Sequence, residues 1–313
     1  LRKLLYRVGL LTPFWQVDRL RYLKRLAKRK VSDWRYVAKD DVAQFADSKV
    51  VARLTGISAP VFFYCDHNSS SIEADILKST KAETGVLKQR WRVLELGACF
   101  IAPGSRVIDV GANIGAYALP WATVRADVTV DCFEPNPDVR DRLVRNVVLN
   151  RLTTRIRVHA EALSDHIGTA PLYGRDDMSS LNESVYTDAG EGKLREVPLA
   201  CLDDIIRIDG APVALIKIDV QGHELEVLRG AKRIISQYRP VIILEHEDDL
   251  YLSNAEASRR KAELAILLSQ HRYEALYVSR WGSDLLAVVD WSRRLNGDLL
   301  ALPLDELAEK RER

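Results

Sequence analysis

The sequence predicts an α/β domain with a mostly parallel sheet covered by helices on both faces, preceded by a basic helical extension. Three observations lead there. From Arg106 onward, continuous apolar runs alternate with amphipathic stretches, as parallel strands buried on both faces and their covering helices require. The first of those runs breaks at a turn holding two glycines and an asparagine, "DVGANIG". Charge is also split along the chain: residues 1–30 carry ten Lys/Arg against one acid, a net +9, and the remainder nets −7. With 313 residues and 47% hydrophobic content, the chain is long enough to bury a large core plus an appendage.

The elements follow in order. Residues 1 to about 50 read as basic helices, with Leu20, Leu23 and Leu26 at threes and cations between them. After Pro60, "VFFYC" reads as a short strand, and a mixed helical stretch then runs to about Phe100. "RVIDV" is the first strand of the alternating pattern. "AYALPWATV" is a helix, expected to kink at Pro120. "VTVDCFE" is the second strand. The next helix has Asn136 as N-cap and Pro137 in its first turn, with Val139, Leu143 and Val147 as its apolar stripe, widened by Val144 and Val148. "RIRVHA" and "ALIKIDV" are the third and fourth strands. Between them the long insertion Glu161–Val213 reads as two short strands around a polar loop, Gly174 to Lys193. "HELEVLRGAKRIISQ" is a helix and "PVIILEHE" the fifth strand. Ser253 and Glu256 form a capping box for a helix to about Gln270. "EALYVS" and "DLLAVVD" close as late strands. Cys65, Cys99, Cys132 and Cys201 are scattered, which excludes a disulfide framework or a zinc ribbon; Cys132 reads as core.

Candidate site residues lie where strands end. Gly111 and Gly115 allow a tight turn and close approach by a ligand, and Asn113 stands where a diphosphate-binding G-x-G-x-x-G turn has its middle glycine. The pattern therefore points away from a diphosphate. Glu134, 23 positions after Gly111, ends the second strand and can accept hydrogen bonds from both hydroxyls of a ribose. Asp219 ends the fourth strand, Gly222 breaks the chain, and His223 opens the next helix. Glu245 arrives on the fifth strand at the same edge. His223 is the first candidate for a general base because an imidazole titrates near neutrality; Asp219 or Glu245 orients it or takes the proton instead. Two carboxylates are weak evidence for a metal, and none is assigned. Glu224, Glu226 and Glu247 read as solvated charges.

"VIDVGANIGAYAL", "FEPNP" followed by Asn146 and Asn150, and "IKIDVQGHELEVLRGA" with "PVIILEHE" resemble the FkbM-type family of S-adenosylmethionine-dependent methyltransferases, over about Gly104 to Pro303. The resemblance implies a class I methyltransferase (Rossmann-like) fold, seven-stranded with the last strand antiparallel, and O-methylation of a sugar, glycolipid or secondary metabolite. It implies that Asp109, Gly111, Ala112, Asn113 and Gly115 hold the methionine part of the cofactor, that Glu134 holds the ribose, that Ala162 lies against the adenine, and that Asp219 stands near the sulfonium. Gln221 departs from the glutamate that many relatives carry there. The expected division is an extension at 1–55 and a catalytic domain at 56–313.

The alternatives are a nicotinamide-dependent oxidoreductase, which Asn113 speaks against, and a non-catalytic cofactor-binding scaffold. The expected partner is a small-molecule or glycan hydroxyl acceptor. Residues 1–30 are a candidate docking segment for an anionic membrane or a partner protein, or a dimer arm. No nucleic acid is expected, since no aromatic-basic stacking surface is evident. No apolar run reaches the ~18 residues of a membrane span and no signal peptide is recognised, so a cytoplasmic location is expected.

Overall fold

The computed structural model describes residues 43–45, 49–54, 61–66, 85–175, 178–181, 195–208, 210–251, 253–278 and 286–304. The expectations for residues 1–42, and for most of the polar loop between Gly174 and Lys193, lie outside the described residues. Strands β1 (Ala43–Phe45), β2 (Lys49–Leu54) and β3 (Val61–Asp66) form an antiparallel sheet of three. The expectation of helix up to about residue 50 is therefore corrected over 43–54. That short segment is Val-rich and finds a pairing partner in β3 beyond the expected boundary at 55. Val61 and Phe63 are buried in the main core.

Helix α1 (Gly85–Phe100) leads into β4 (Arg106–Val110), α2 (Ala118–Val124), β5 (Thr129–Phe133), α3 (Pro137–Leu149) and β6 (Ile156–His159). The insertion contributes β7 (Ala162–Leu163), β8 (Gly168–Arg175), β9 (Met178–Ser180) and β10 (Arg195–Ala200), which make a separate sheet in the order β7-β10-β8-β9. Then come α4 (Leu202–Ile205), β11 (Val213–Ile218), α5 (Glu224–Arg229), α6 (Lys232–Tyr238), β12 (Val241–Glu247), α7 (Asn254–Gln270), β13 (Tyr273–Val278), β14 (Leu286–Val288) and β15 (Asn296–Pro303).

The central sheet runs β14-β13-β15-β12-β11-β4-β5-β6. Strands β6, β5, β4, β11 and β12 are mutually parallel, and β15 enters antiparallel between β12 and β13. This is the class I methyltransferase arrangement of seven strands, with the short β14 added at the edge as an eighth. The strand "NGDLLALP" was not anticipated. Alternating residues of β4, Val107 against Ile108 and Val110, feed two apolar cores on opposite faces of the sheet.

Local signals act as expected at two caps. Asn136 Oδ1 accepts from the Asp138 amide at 3.1 Å, and Ser253 Oγ from the Glu256 amide at 3.2 Å. Three expectations change. Pro120 lies in the first turn of α2, where its missing N–H has no intrahelical acceptor to lose, so no break is needed there. The helix after β11 divides at Gly230, where an added Cβ would sit 1.9 Å from the Ser164 carbonyl oxygen. Val144 and Val148 are exposed, at 44% and 57%, while Asn146 of the same helix is fully buried. Cys132 is core. Among the described residues, no helix is long and apolar enough to cross a membrane.

Candidate active site

The turn after β4 is built by its own hydrogen bonds. Gly111, Asn113 and Gly115 all have positive φ, at 74°, 51° and 91°. Asn113 tolerates this because its side chain bonds locally: Oδ1 accepts from the Ile114 amide at 2.7 Å. The amides of Gly111 and Ala112 both donate to the Phe133 carbonyl at 3.0 Å. Asn146 Nδ2, from α3, donates to the Ile114 carbonyl at 2.9 Å.

The glycines serve the chain's own packing. A Cβ on Gly111 would meet the Asp219 carbonyl oxygen at 1.9 Å, and one on Gly115 would meet Leu119 Cδ1 at 1.9 Å. Sequence spacing located both residues, but the matter that approaches them here is protein.

Two buried carboxylates flank this turn. Glu134 Oε2 accepts from the Asn113 amide at 2.9 Å and Oε1 from the Asn136 amide at 3.0 Å. Burial pushes its carboxyl up to about 7. Arg140 bonds the backbone carbonyls of Glu134 and Pro135. Asp109 is fully buried, and neither carboxylate oxygen has a hydrogen-bond partner among the described residues. Burial raises it to about 6; Lys217 opposes this, Asp219 adds to it, and the Ala118 amide weakly opposes it. A buried carboxylate with so few donors is costly.

Across the sheet switch, β11 and β12 supply a second group. Lys217, 2% exposed, extends from near the carboxyl end of β11 to Asp219 Oδ2 at 2.9 Å, with its ammonium 4.6 Å from the Tyr117 ring centroid. Burial alone would lower its pKa, but Asp219, Asp109 and Glu245 outweigh that and raise it. Gln221 Nε2 donates to Asp219 Oδ1 at 3.1 Å and to Glu245 Oε2 at 3.3 Å. The neighbouring charge of Asp219, then burial, hold Glu245 well above the usual carboxylate range. Asp219 and Glu245 are thus brought together through the Gln221 amide.

His223 is turned elsewhere. Its Nε2 lies 3.1 Å from Ser164 Oγ and its Nδ1 3.5 Å from Glu226. Burial lowers its pKa and keeps it neutral. Glu224 is 4% exposed rather than solvated; its Oε1 accepts from the Gly222 amide at 2.9 Å, and burial lifts it to about 7. Arg260 binds the Glu226 carboxylate through both nitrogens and the Gly222 carbonyl at 2.9 Å. Ala162 is buried beside Leu172, Val197 and Leu199 of the smaller sheet.

Sequence reasoning missed Lys217, Ser180 and the bridging role of Gln221. A lone lysine inside the apolar run "ALIKIDV" was the available signal for the first. Among the described residues, no group of three or more His, Cys, Asp or Glu could hold a metal ion.

The model of the "Methyltransferase FkbM domain" family matches residues 109–275, from the Asp109 turn into β13. The chain is 30% identical over 153 residues to methyltransferase sdnD of Sordaria araneosa, covering 40% of this chain and 59% of that protein. It is 31% identical over 139 residues to hexuronic acid methyltransferase AglP of Haloferax volcanii, covering 44% and 54%. A third relative, 31-O-demethyl-FK506 methyltransferase FkbM of Streptomyces tacrolimicus, is 28% identical over 201 residues, covering 54% and 76%. The chain thus spans little more than half the length of the first two. With the family match extending over more than half of its residues, and over both carboxylate groups of the site, the chain belongs to the FkbM methyltransferase domain family.

Proposed function

We propose that the chain is an S-adenosylmethionine-dependent O-methyltransferase acting on a hydroxyl of a sugar, glycolipid or secondary metabolite. The observation that carries this is the pair of buried carboxylates, Asp109 and Glu134, on either side of the Gly111–Gly115 turn. Asn113 in place of the middle glycine of a diphosphate-binding turn disfavours a nicotinamide dinucleotide. A ligand with an ammonium and a vicinal diol fits. The orphaned Asp109 oxygens would take the ammonium, and Glu134 would take the ribose hydroxyls. When bound, the cofactor supplies a methyl group already activated on a sulfonium. The relatives named for a hexuronic acid and for 31-O-demethyl-FK506 support an oxygen acceptor on a sugar or secondary metabolite.

The chain's own residues then supply orientation and a proton acceptor. Lys217 pairs with Asp219, Gln221 ties Asp219 to Glu245, and the acceptor's hydroxyl proton passes to the Asp219 carboxylate. His223, tied to Ser164 and Glu226, anchors the turn. Asp219→Asn is therefore expected to lower methyl transfer by roughly 10²–10⁴-fold with cofactor affinity held within a few-fold. Transfer of labelled methyl to a panel of glycosides and polyol acceptors tests the reading. Absence of cofactor binding by calorimetry would overturn it.

Ionisation gives an independent check. Folding raises Asp109 to about 6, and Glu134 and Glu224 to about 7. These groups therefore stabilise the unliganded fold below their ordinary values near 4, and lose that contribution as pH rises through 6 to 7. An ammonium and a diol both favour the carboxylate forms. Cofactor binding at pH 6.5 should release about one proton, and affinity should rise from pH 6 to pH 8. Calorimetry in buffers of different ionisation enthalpy measures this; zero proton release would remove these carboxylates from the ligand contacts.

A further inference from the structure

Gln221 has a left-handed backbone, φ 55°, followed by Gly222 at φ 98°. A glycine would relieve the strain at the first position, and strain of this kind persists only where its surroundings over-determine it. Here they do. Ser180 Oγ donates to the Gln221 carbonyl at 2.7 Å, Glu224 accepts from the Gly222 amide at 2.9 Å, and Arg260 donates to the Gly222 carbonyl at 2.9 Å. The smaller sheet, α5 and α7 thus all hold this one turn. What the conformation delivers is the side chain, whose nitrogen reaches Asp219 Oδ1 and Glu245 Oε2 together.

We propose that Gln221 is a positioning residue whose two amide protons, one on each carboxyl, hold Asp219 and Glu245 together as a pair. That this pair is the base for methyl transfer rests on the function proposed above. The amide is suited to the task because it donates twice and does not titrate. A glutamate at 221 would instead place a third acid against two. Among the described residues, the charged groups bearing on the pair include Lys217 on the same strand as Asp219, Asp109 on β4, Glu247 on β12, Asp298 on β15 and Glu224 on α5. Only Lys217 among them is a cation. Loss of the Gln221 donors should therefore favour protonation.

The test needs no acceptor. The carbonyl stretch of a protonated carboxyl is followed by infrared spectroscopy against pH in the full chain, and assigned by its disappearance in Glu245→Gln. In Gln221→Leu the band should persist to higher pH, its midpoint raised by about one unit. Gln221→Gly, which relieves the backbone and also lacks the donors, should show the same rise; this guards against misfolding of the leucine variant. Gln221→Glu should add a second protonated carboxyl. Where methyl transfer is measurable, its acidic limb should move up in parallel with no change in the KM for S-adenosylmethionine. An unchanged midpoint in both Gln221→Leu and Gln221→Gly would overturn the role of Gln221, whatever the activity. A shifted midpoint in a protein that transfers no methyl group would leave the pair standing and overturn the methyl-transfer reading.

Discussion

Glu134→Ala is expected to weaken S-adenosylmethionine binding by about 100-fold or more. Hydrogen bonds to a charged group contribute roughly 1.5–3 kcal/mol each, and a diol would make two of them to this carboxylate. The same side chain also ties the Asn113 amide to the Asn136 amide, so its removal loosens the turn that shapes the ligand's surroundings. Stability should change far less than affinity. The variant leaves two amides unpaired, at about 1–3 kcal/mol for a buried group, but removes a carboxylate whose burial already lifts it to about 7. Calorimetric titration and chemical unfolding, run on the same preparation, separate the two effects. A loss of several kcal/mol in stability with less than a tenfold loss in affinity would make Glu134 a strut of the loop and nothing more.

The parts of the molecule that were legible in the sequence share a physical trait: their signal is local. Parallel strands buried on both faces are continuous apolar runs, so β4, β5, β11 and β12 could be read directly. The caps at Asn136 and Ser253 are hydrogen bonds to residues two or three positions on. Glu134 and Asp219 directly follow β5 and β11, and Glu245 lies in the last half of β12, positions readable from the apolar runs themselves. What failed to show was non-local. Strand β15 is rich in leucine rather than in β-branched residues, and it is inserted between two strands that precede it in the chain. Lys217 is buried beside Asp219 two positions on and Asp109 and Glu245 from other strands, and the latter two its own strand does not announce. His223 lies four positions after Asp219, a spacing that predicts the same rim. The two left-handed residues between them redirect the chain, so that its imidazole faces Ser164 on the segment leading out of β7. A glutamate at a helix start is ordinarily solvated; Glu224 instead folds back on the Gly222 amide of that same turn.

Gly111→Ala should produce the largest loss of stability. The added Cβ would stand 1.9 Å from the Asp219 carbonyl oxygen, a backbone atom that cannot swing aside as a side chain can. Both sides of the contact are pinned: the Gly111 amide to Phe133, and the Asp219 amide to the Val110 carbonyl at 3.0 Å. Overpacking typically costs about 1–3 kcal/mol, and a left-handed backbone with a Cβ roughly 1–2 kcal/mol more. A total near 3 kcal/mol, or outright failure to fold, is the expected result. Gly104→Ala is the control, because Gly104 also has a positive φ, 64°, yet nothing lies within 4 Å of its added Cβ. It should lose only the backbone part, about 1–2 kcal/mol. Urea unfolding of the two variants gives the difference directly. Equal losses would mean that the collision with Asp219 is relieved at no cost and that Gly111 is needed for its dihedral alone. A Gly111→Ala protein as stable as the parent but unable to bind cofactor would mean that the glycine serves the ligand's approach after all. The expected outcome couples the two halves of the site instead. Displacing the Asp219 carbonyl displaces Asp219 itself, so any folded Gly111→Ala protein should also transfer methyl groups poorly from a cofactor it still binds.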